Sequence, residues 1–270
     1  MLKFPFMGYT TAMKTLTWLI GLLIVGVGAF YIFTGSAHDT KKENYSMQKN
    51  SVQVIPISHA TAVLKWGTVV VYTDPVGSPD AFASQPSPTI ILVTDIHSDH
   101  LSTSTLAAVI KDDTVLIVPQ AVKDLLPENL ASRATVLANG EVGAQQELKI
   151  QALPMYNLPE TADSKHTKGR GNGYLVAGVD SRVYIAGDTA GIPEMRALTD
   201  IDIALVPMNL PYTMSVEEAA DAVLDFKPKQ VYPYHYRGPD GLADVAKFKQ
   251  LVNAGNPDIE VILANWYPGN

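Results

Sequence analysis

The chain has 270 residues, no cysteine, and 20 basic against 27 acidic residues, a net charge of −7. Without cysteine there are no disulfides and no thiolate ligands, so any cation must be held by histidine, carboxylate, amide, backbone oxygen or water. An acidic balance with no basic stripe argues against a large nucleic-acid footprint.

Residues 15–37 (TLTWLIGLLIVGVGAFYIFTGSA) carry no charge. A bilayer core needs roughly 20 apolar helical residues, and Trp18 and Tyr31 stand towards the two ends, where amphipathic rings favour the headgroup region. This predicts one transmembrane helix; the alternative is a signal segment cut after the small residues Gly35 and Ala37. Lys3 and Lys14 precede the run, and Lys41, Lys42 and Lys49 follow it, so the charge bias is weak. A short N-terminal tail most simply stays inside, which places the remainder on the extracytoplasmic side, or releases it if the segment is cleaved. Residues 38–51 (HDTKKENYSMQKNS) are polar and aperiodic and read as a linker, with His38 idle in it. The folded domain is expected over 52–270.

Within that domain, Val52–Ile57, Ala62–Trp66 and Thr68–Thr73 read as strands, with Gly67 at a turn. Thr89–Thr94 (TIILVT) is continuously apolar, as expected for a strand covered on both faces. A helix over Leu101–Ile110 follows, with Ser102 as its cap, then a strand at Thr114–Val118 and a short helix at Ala121–Leu126. Leu148–Leu153 is a strand, and Pro154–Gly171 a long polar loop of the kind that is usually functional. Tyr174–Ala177 and Arg182–Ala186 form a hairpin. Ile203–Pro207 is a strand and Val216–Phe226 a helix capped by Ser215. Val231–Tyr234 (strand), Leu242–Val252 (helix) and Ile259–Leu263 (strand) close the chain. A β-meander followed by β-α-β units, repeated, suggests two mixed sheets packed face to face with helices outside, an α/β layer structure.

Three clusters carry chemistry, each at the end of a predicted strand, where α/β proteins hold their ligands. Asp95-Ile96-His97-Ser98-Asp99-His100 puts four metal-capable side chains within six residues. A polar surface turn accounts for Ser98 and Asp99 but not for two imidazoles beside a buried strand; a cation accounts for all four. Gly187-Asp188-Thr189 follows the strand VYI, where the glycine permits a tight turn and the carboxylate has two oxygens to share between cations. His235 ends the strand KQVYPY.

The order His-x-Asp-His, then Gly-Asp-Thr, then a late strand-end histidine resembles the metallo-β-lactamase superfamily, from about His59 to the C-terminus. Ser58-His59-Ala60, Asp74-Pro75, Gly171-Asn172-Gly173-Tyr174 and Asn209-Leu210-Pro211-Tyr212-Thr213-Met214 are similar to a branch containing L-ascorbate-6-phosphate lactonase and N-acyl-phosphatidylethanolamine phospholipase D. The resemblance implies an αββα four-layer sandwich over 52–270 and a hydrolase that cleaves an ester, lactone or phosphodiester with metal-activated water. It implies His97 on a first cation, Asp99, His100 and His235 on a second, Asp188 bridging, and Asp99 and Asp188 as catalytic residues. The chain departs from the pattern at Asp95, where the family usually has histidine, and at Tyr156-Asn157, where it usually supplies another. Asp95 can still ligate; Asn157 is a poor ligand; His166, in the same loop, is a candidate substitute. A carboxylate-richer first site admits manganese or iron beside zinc.

Asn157, His166, Asn209, Tyr212 and Arg237 are candidate substrate contacts, with Tyr234, Lys168 and Arg170 further possibilities. His59 reads as a buried core histidine or one behind the ligands. The expected partners are a membrane and a small-molecule or lipid-like ester. The alternative is a non-catalytic metal-binding scaffold, in which Asp95 and Asn157 mark a degraded first site.

Overall fold

The computed structural model describes residues 52–268. The expectations for 15–37 and 38–51 lie outside these residues. Among the described residues no helix is long and apolar enough to cross a membrane.

The chain runs β1 (Gln53–Ser58), β2 (Thr61–Trp66), β3 (Val69–Thr73), β4 (Ile90–Leu92), α1 (Thr103–Val109), β5 (Val115–Val118), α2 (Gln120–Lys123), α3 (Glu128–Ala131), β6 (Ala134–Val136), β7 (Val142–Gln145) and β8 (Leu148–Met155). It continues with β9 (Gly171–Ala177), β10 (Arg182–Ile185), α4 (Pro193–Arg196), β11 (Ile203–Pro207), α5 (Val216–Phe226), β12 (Gln230–Tyr234), β13 (Arg237–Gly238), β14 (Gly241–Leu242), α6 (Val245–Gly255) and β15 (Glu260–Val261). Strands β1 to β6 form one sheet in chain order, antiparallel at β1-β2-β3 and parallel from β3 onward. The second sheet has the order β15-β12-β11-β10-β9-β8-β7, parallel from β15 to β10 and antiparallel from there.

The strand sequences explain the layers. Successive side chains of a strand face opposite ways. Ile90 and Leu92 of β4 enter the core between the sheets, while Ile91 and Val93 enter a second core with Leu106, Val109, Val122 and Leu130 of α1, α2 and α3. The run TIILVT is therefore apolar throughout because both faces are covered. The second sheet packs its other face on Ala219, Val223 and Phe226 of α5 and Phe248 and Val252 of α6. The result is the expected α/β/β/α stack.

Element ends follow their caps. Ser102 Oγ accepts from Thr105 N at 3.2 Å and Ser215 Oγ from Glu218 N at 3.0 Å, both as expected from the sequence. The last helix begins later than Leu242, because Asp244 caps it, its Oδ1 accepting from Lys247 N at 2.9 Å, while Leu242 belongs to the small β13-β14 hairpin. Strands β6 and β7 and helix α4, each three or four residues long, are too short to show a hydrophobic period.

Gly173, in β9, is fixed by packing: a Cβ there would lie 2.9 Å from Ala186 O and 3.1 Å from Ile185 O. Those are backbone atoms of the neighbouring strand and cannot rotate away. Gly173→Ala should destabilise the domain by about 1–3 kcal/mol, read as a lowered denaturation midpoint. An unchanged midpoint would mean that β9 and β10 can separate freely.

Candidate metal centre

Four loops meet where the edges of the two sheets come together, and each turns sharply as its strand ends. His59 after β1 (φ 52°), Asp74 after β3 (φ 44°), Gly187 after β10 (φ 65°) and His235 after β12 (φ 47°) all adopt left-handed backbone conformations. For non-glycine residues such conformations cost of order 1–3 kcal/mol each and persist only where the surroundings fix them. Three polar side chains held this way at one edge mark a built site.

One group of ligand atoms comes from His100, His235, Asp99 and Asp188. His100 Nε2 lies 3.1 Å from His235 Nε2 and 3.2 Å from Asp188 Oδ2. His235 Nε2 lies 3.2 Å from Asp188 Oδ1 and 3.4 Å from Asp99 Oδ2. The far side of His100 is fixed: its Nδ1–H donates to Asp74 Oδ2 at 2.8 Å, so Nε2 is the nitrogen that faces the cluster. Asp74 is itself held by Thr94, whose N donates to Oδ1 at 2.7 Å and whose Oγ1 donates to Oδ2 at 2.6 Å.

A second group comes from Asp95, His97, His166 and again Asp188. His97 Nδ1 lies 2.7 Å from Asp95 Oδ2. His166 Nε2 lies 3.1 Å from Asp188 Oδ2 and 3.9 Å from Asp95 Oδ2. His166 is 2% exposed. It is aimed by Asn157, whose Oδ1 accepts from His166 N at 2.9 Å and from Nδ1 at 3.2 Å. Asn157 is in turn tied through Nδ2 to Tyr212 O at 2.8 Å.

These residues suit a divalent cation. Four ligands around an ion at about 2.0–2.1 Å sit roughly 3.3 Å from one another in a tetrahedron, close to the spacings seen. Among the described residues, His166 Nε2 and Asp188 Oδ1 are buried and have no hydrogen-bond partner. His100 and His235 present nitrogen to nitrogen, which needs a proton or a cation between them. Burial pushes the Asp188 carboxyl up, but His235 and His100 outweigh it and hold the group well below the carboxylate range. Burial likewise opposes charge on His100, and Asp188 and Asp74 overcome it and raise the imidazole well above its usual value. The cluster attracts positive charge, and a bound metal would displace those protons.

All six residues read from the sequence as ligands (Asp95, His97, Asp99, His100, Asp188 and His235) therefore come together around one cleft. His166, read as a substrate contact or substitute ligand, joins the group of Asp95 and His97. Asn157 stands behind it as its orienting partner and does not face a cation. Asn209 and Tyr212 line the cleft of about 470 Å3 with His97, Ser98, Asp99, Lys165, His166 and Asp188. Arg237 does not line it; its guanidinium stacks over the Tyr267 ring at 4.2 Å. Lys168 is engaged with Glu194 at 2.9 Å, and the buried Tyr234 hydroxyl accepts from Gly187 N at 2.9 Å.

His59 and Asp74 have functions the sequence reading left open. Tyr267 O–H donates to His59 Nδ1 at 2.8 Å, and His59 Nε2–H donates to Asp99 Oδ2 at 3.2 Å, so His59 orients the carboxylate of Asp99 from behind the cleft. Burial lowers its pKa against the pull of Asp99, favouring the neutral tautomer this chain of bonds needs. The strand-end placement of both residues is the signal that points to them.

Comparison with known proteins agrees with this geometry. The sequence profile of the Beta-lactamase superfamily domain matches residues 53–235. A UPF0173 metal-dependent hydrolase of Pyrococcus furiosus is 31% identical over 212 residues, covering 74% of this chain and 92% of that protein. A crystal structure from Parabacteroides distasonis, named as a metal-dependent hydrolase, is 36% identical with a TM-score of 0.69, covering 78% of this chain and 91% of the other. A metallo hydrolase from Ignicoccus hospitalis, 20% identical with a TM-score of 0.66 over 79% of this chain and 95% of that one, shares the fold. The chain belongs to the metallo-β-lactamase superfamily and is a metal-dependent hydrolase.

Proposed function

We propose that the domain uses two divalent cations to hydrolyse an ester, lactone or phosphodiester bond in a small or lipid-like substrate. One observation supports this above the others: Asp188 Oδ2 lies within 3.1 Å of His166 and 3.2 Å of His100, and Asp188 Oδ1 within 3.2 Å of His235. A single carboxylate thus faces both ligand groups. A divalent cation held there would lower the pKa of a bound water to about 7 and would polarise the substrate oxygen. The chain's own residues then have distinct parts. Asp188 links the two ligand groups, Asp99 faces the cleft with His59 behind it, and Asn209 and Tyr212 form the wall against which a substrate rests. Zinc suits the imidazole-rich group around His100 and His235; the group containing Asp95 admits manganese or iron beside zinc. The uncharged run at 15–37 favours a membrane-anchored enzyme working on the outer side, or a secreted one if that run is cleaved, on lipid or envelope esters. The non-catalytic alternative has no observation in its favour, since His166 fills the place that Asn157 leaves open.

The test is metal quantification of the purified full chain, with turnover measured against a panel of phosphodiesters, lactones and carboxylic esters. We expect up to two equivalents of metal and turnover of at least one class, abolished by chelation and restored by adding metal back. A fully loaded protein inert on all three classes would overturn the bond assignment.

A further inference from the structure

Arg170, the last residue before β9, reaches into the group formed by Asp95, His97 and His166. Its Nε donates to Asp95 Oδ1 at 3.1 Å and its Nη2 to Asp95 Oδ2 at 2.9 Å. Asp95 is fully buried, and the oxygen that accepts Nη2 is the one facing His97 Nδ1 at 2.7 Å and His166 Nε2 at 3.9 Å. Gly171 makes the approach possible, since a Cβ there would meet Thr94 O at 2.8 Å and Asp95 Oδ1 at 3.2 Å. A single carboxylate is therefore held by a fixed organic cation and directed at the same time into a pocket of imidazoles.

The other group has no such competitor. The ion-pair partners of Asp99 are His59, His100 and His235, and those of Asp188 are His100, His166 and His235. Among the described residues neither pairs with a lysine or arginine. Asp99 offers its full negative charge to a cation, with the Asp74 carboxylate behind His100 adding to it. At Asp95 the charge is already balanced, and arginine cannot relieve this by losing its proton. Two like charges a few ångströms apart repel, and the more so the less water screens them.

Building on the two-cation reading, we propose that Arg170 makes the two positions unequal. It binds Asp95 as a neutral pair, so that the cation at Asp95, His97 and His166 binds more weakly and fills second. Arg170 is a positioning residue that sets the occupancy of this site and leaves the His100 and His235 site untouched. The protein would then exist in singly and doubly loaded forms over a range of metal concentration.

The full chain, stripped of metal and titrated with zinc and separately with manganese against a chromophoric chelator, tests this. The wild type should bind a first equivalent at least about tenfold more tightly than a second, a difference of roughly 1.4 kcal/mol. Arg170→Gln should tighten the second equivalent by about tenfold and leave the first unchanged, whereas Arg170→Lys, which keeps a positive charge but loses the two-pronged grip on Asp95, should retain part of the wild-type gap. Circular dichroism melts of the metal-free variants establish that they fold; if the glutamine variant does not, the lysine variant decides, and loss of its gap refutes the proposal. Two equivalents of equal affinity in the wild type, or a second equivalent unmoved in a folded Arg170→Gln, overturns the inequality and leaves the two-cation centre standing. A wild type that binds no metal takes down both.

Discussion

Asp188→Ala should lower the metal content of the purified protein and reduce turnover more than about 100-fold. The lower bound follows from magnitudes: losing a residue that merely supports a metal ligand typically costs 10–100-fold, and Asp188 faces both ligand groups directly. Its carboxylate is 3% exposed and lies within 3.2 Å of three imidazoles. Without it, His100, His166 and His235 converge on a pocket with less negative charge, and each bound cation raises the cost of the next. Asp188→Asn separates charge from shape. The amide fills the same volume but has one oxygen to share between two groups, so it should retain at most the tighter equivalent. Metal quantification and turnover on the same preparations read both effects, and an Asp188→Ala protein with full metal and full activity would exclude a bridging role.

Much of this centre is written locally. Asp95 to His100 begin three residues after β4, Asp188 stands three residues after β10, and His235 immediately follows β12. The apolar runs that make those strands are readable without any structure, and strand ends are where the sheets offer ligands. His166 is different. It sits in a segment with no hydrophobic period, and its direction depends on Asn157, nine residues earlier, gripping its backbone and ring together. Asn157 reads as a poor metal ligand; in the structure its Oδ1 accepts from His166 and aims that imidazole at Asp188. The partnership of His59 with Asp99 and Tyr267 joins residues from three distant parts of the chain through the packing of β1 against the C-terminal segment. The same segment takes Arg237 from the cleft, by placing Tyr267 beneath its guanidinium. No local pattern reports which way a terminal segment returns across the sheets. Arg170 shows the same limit from another side: the sequence offers it as a possible substrate contact, and only the fold, which sets Gly171 against Thr94 and Asp95, turns its guanidinium onto the Asp95 carboxylate.

Asp74→Ala should damage both fold and metal binding, although Asp74 faces no cation. Its carboxylate, fully buried, accepts three hydrogen bonds: Thr94 N at 2.7 Å, Thr94 Oγ1 at 2.6 Å and His100 Nδ1 at 2.8 Å. Truncation strands the Thr94 N–H and hydroxyl and leaves His100 Nδ1 only Thr94 Oγ1, at 3.0 Å, and removing one partner of a buried charged pair costs about 3–5 kcal/mol. His100 also loses the bond that fixes its tautomer, so Nε2 no longer carries a guaranteed lone pair towards Asp188 and His235, and affinity at that position should fall about 10–100-fold. The position has a further demand. Asp74 adopts φ 44°, a conformation that alanine tolerates less well than aspartate or asparagine. Asp74→Asn therefore isolates the electronic effect: it keeps the backbone preference and the shape, but its amide accepts through one oxygen only and must turn an N–H towards Thr94 or His100. Denaturant titration of the metal-free forms should place asparagine between wild type and alanine, while metal titration should show both variants weakened at the tighter position. If the asparagine protein bound metal as tightly as the wild type, Thr94 Oγ1, 3.0 Å from His100 Nδ1, would be sufficient to orient the imidazole, and the buried aspartate would be a stabilising residue alone.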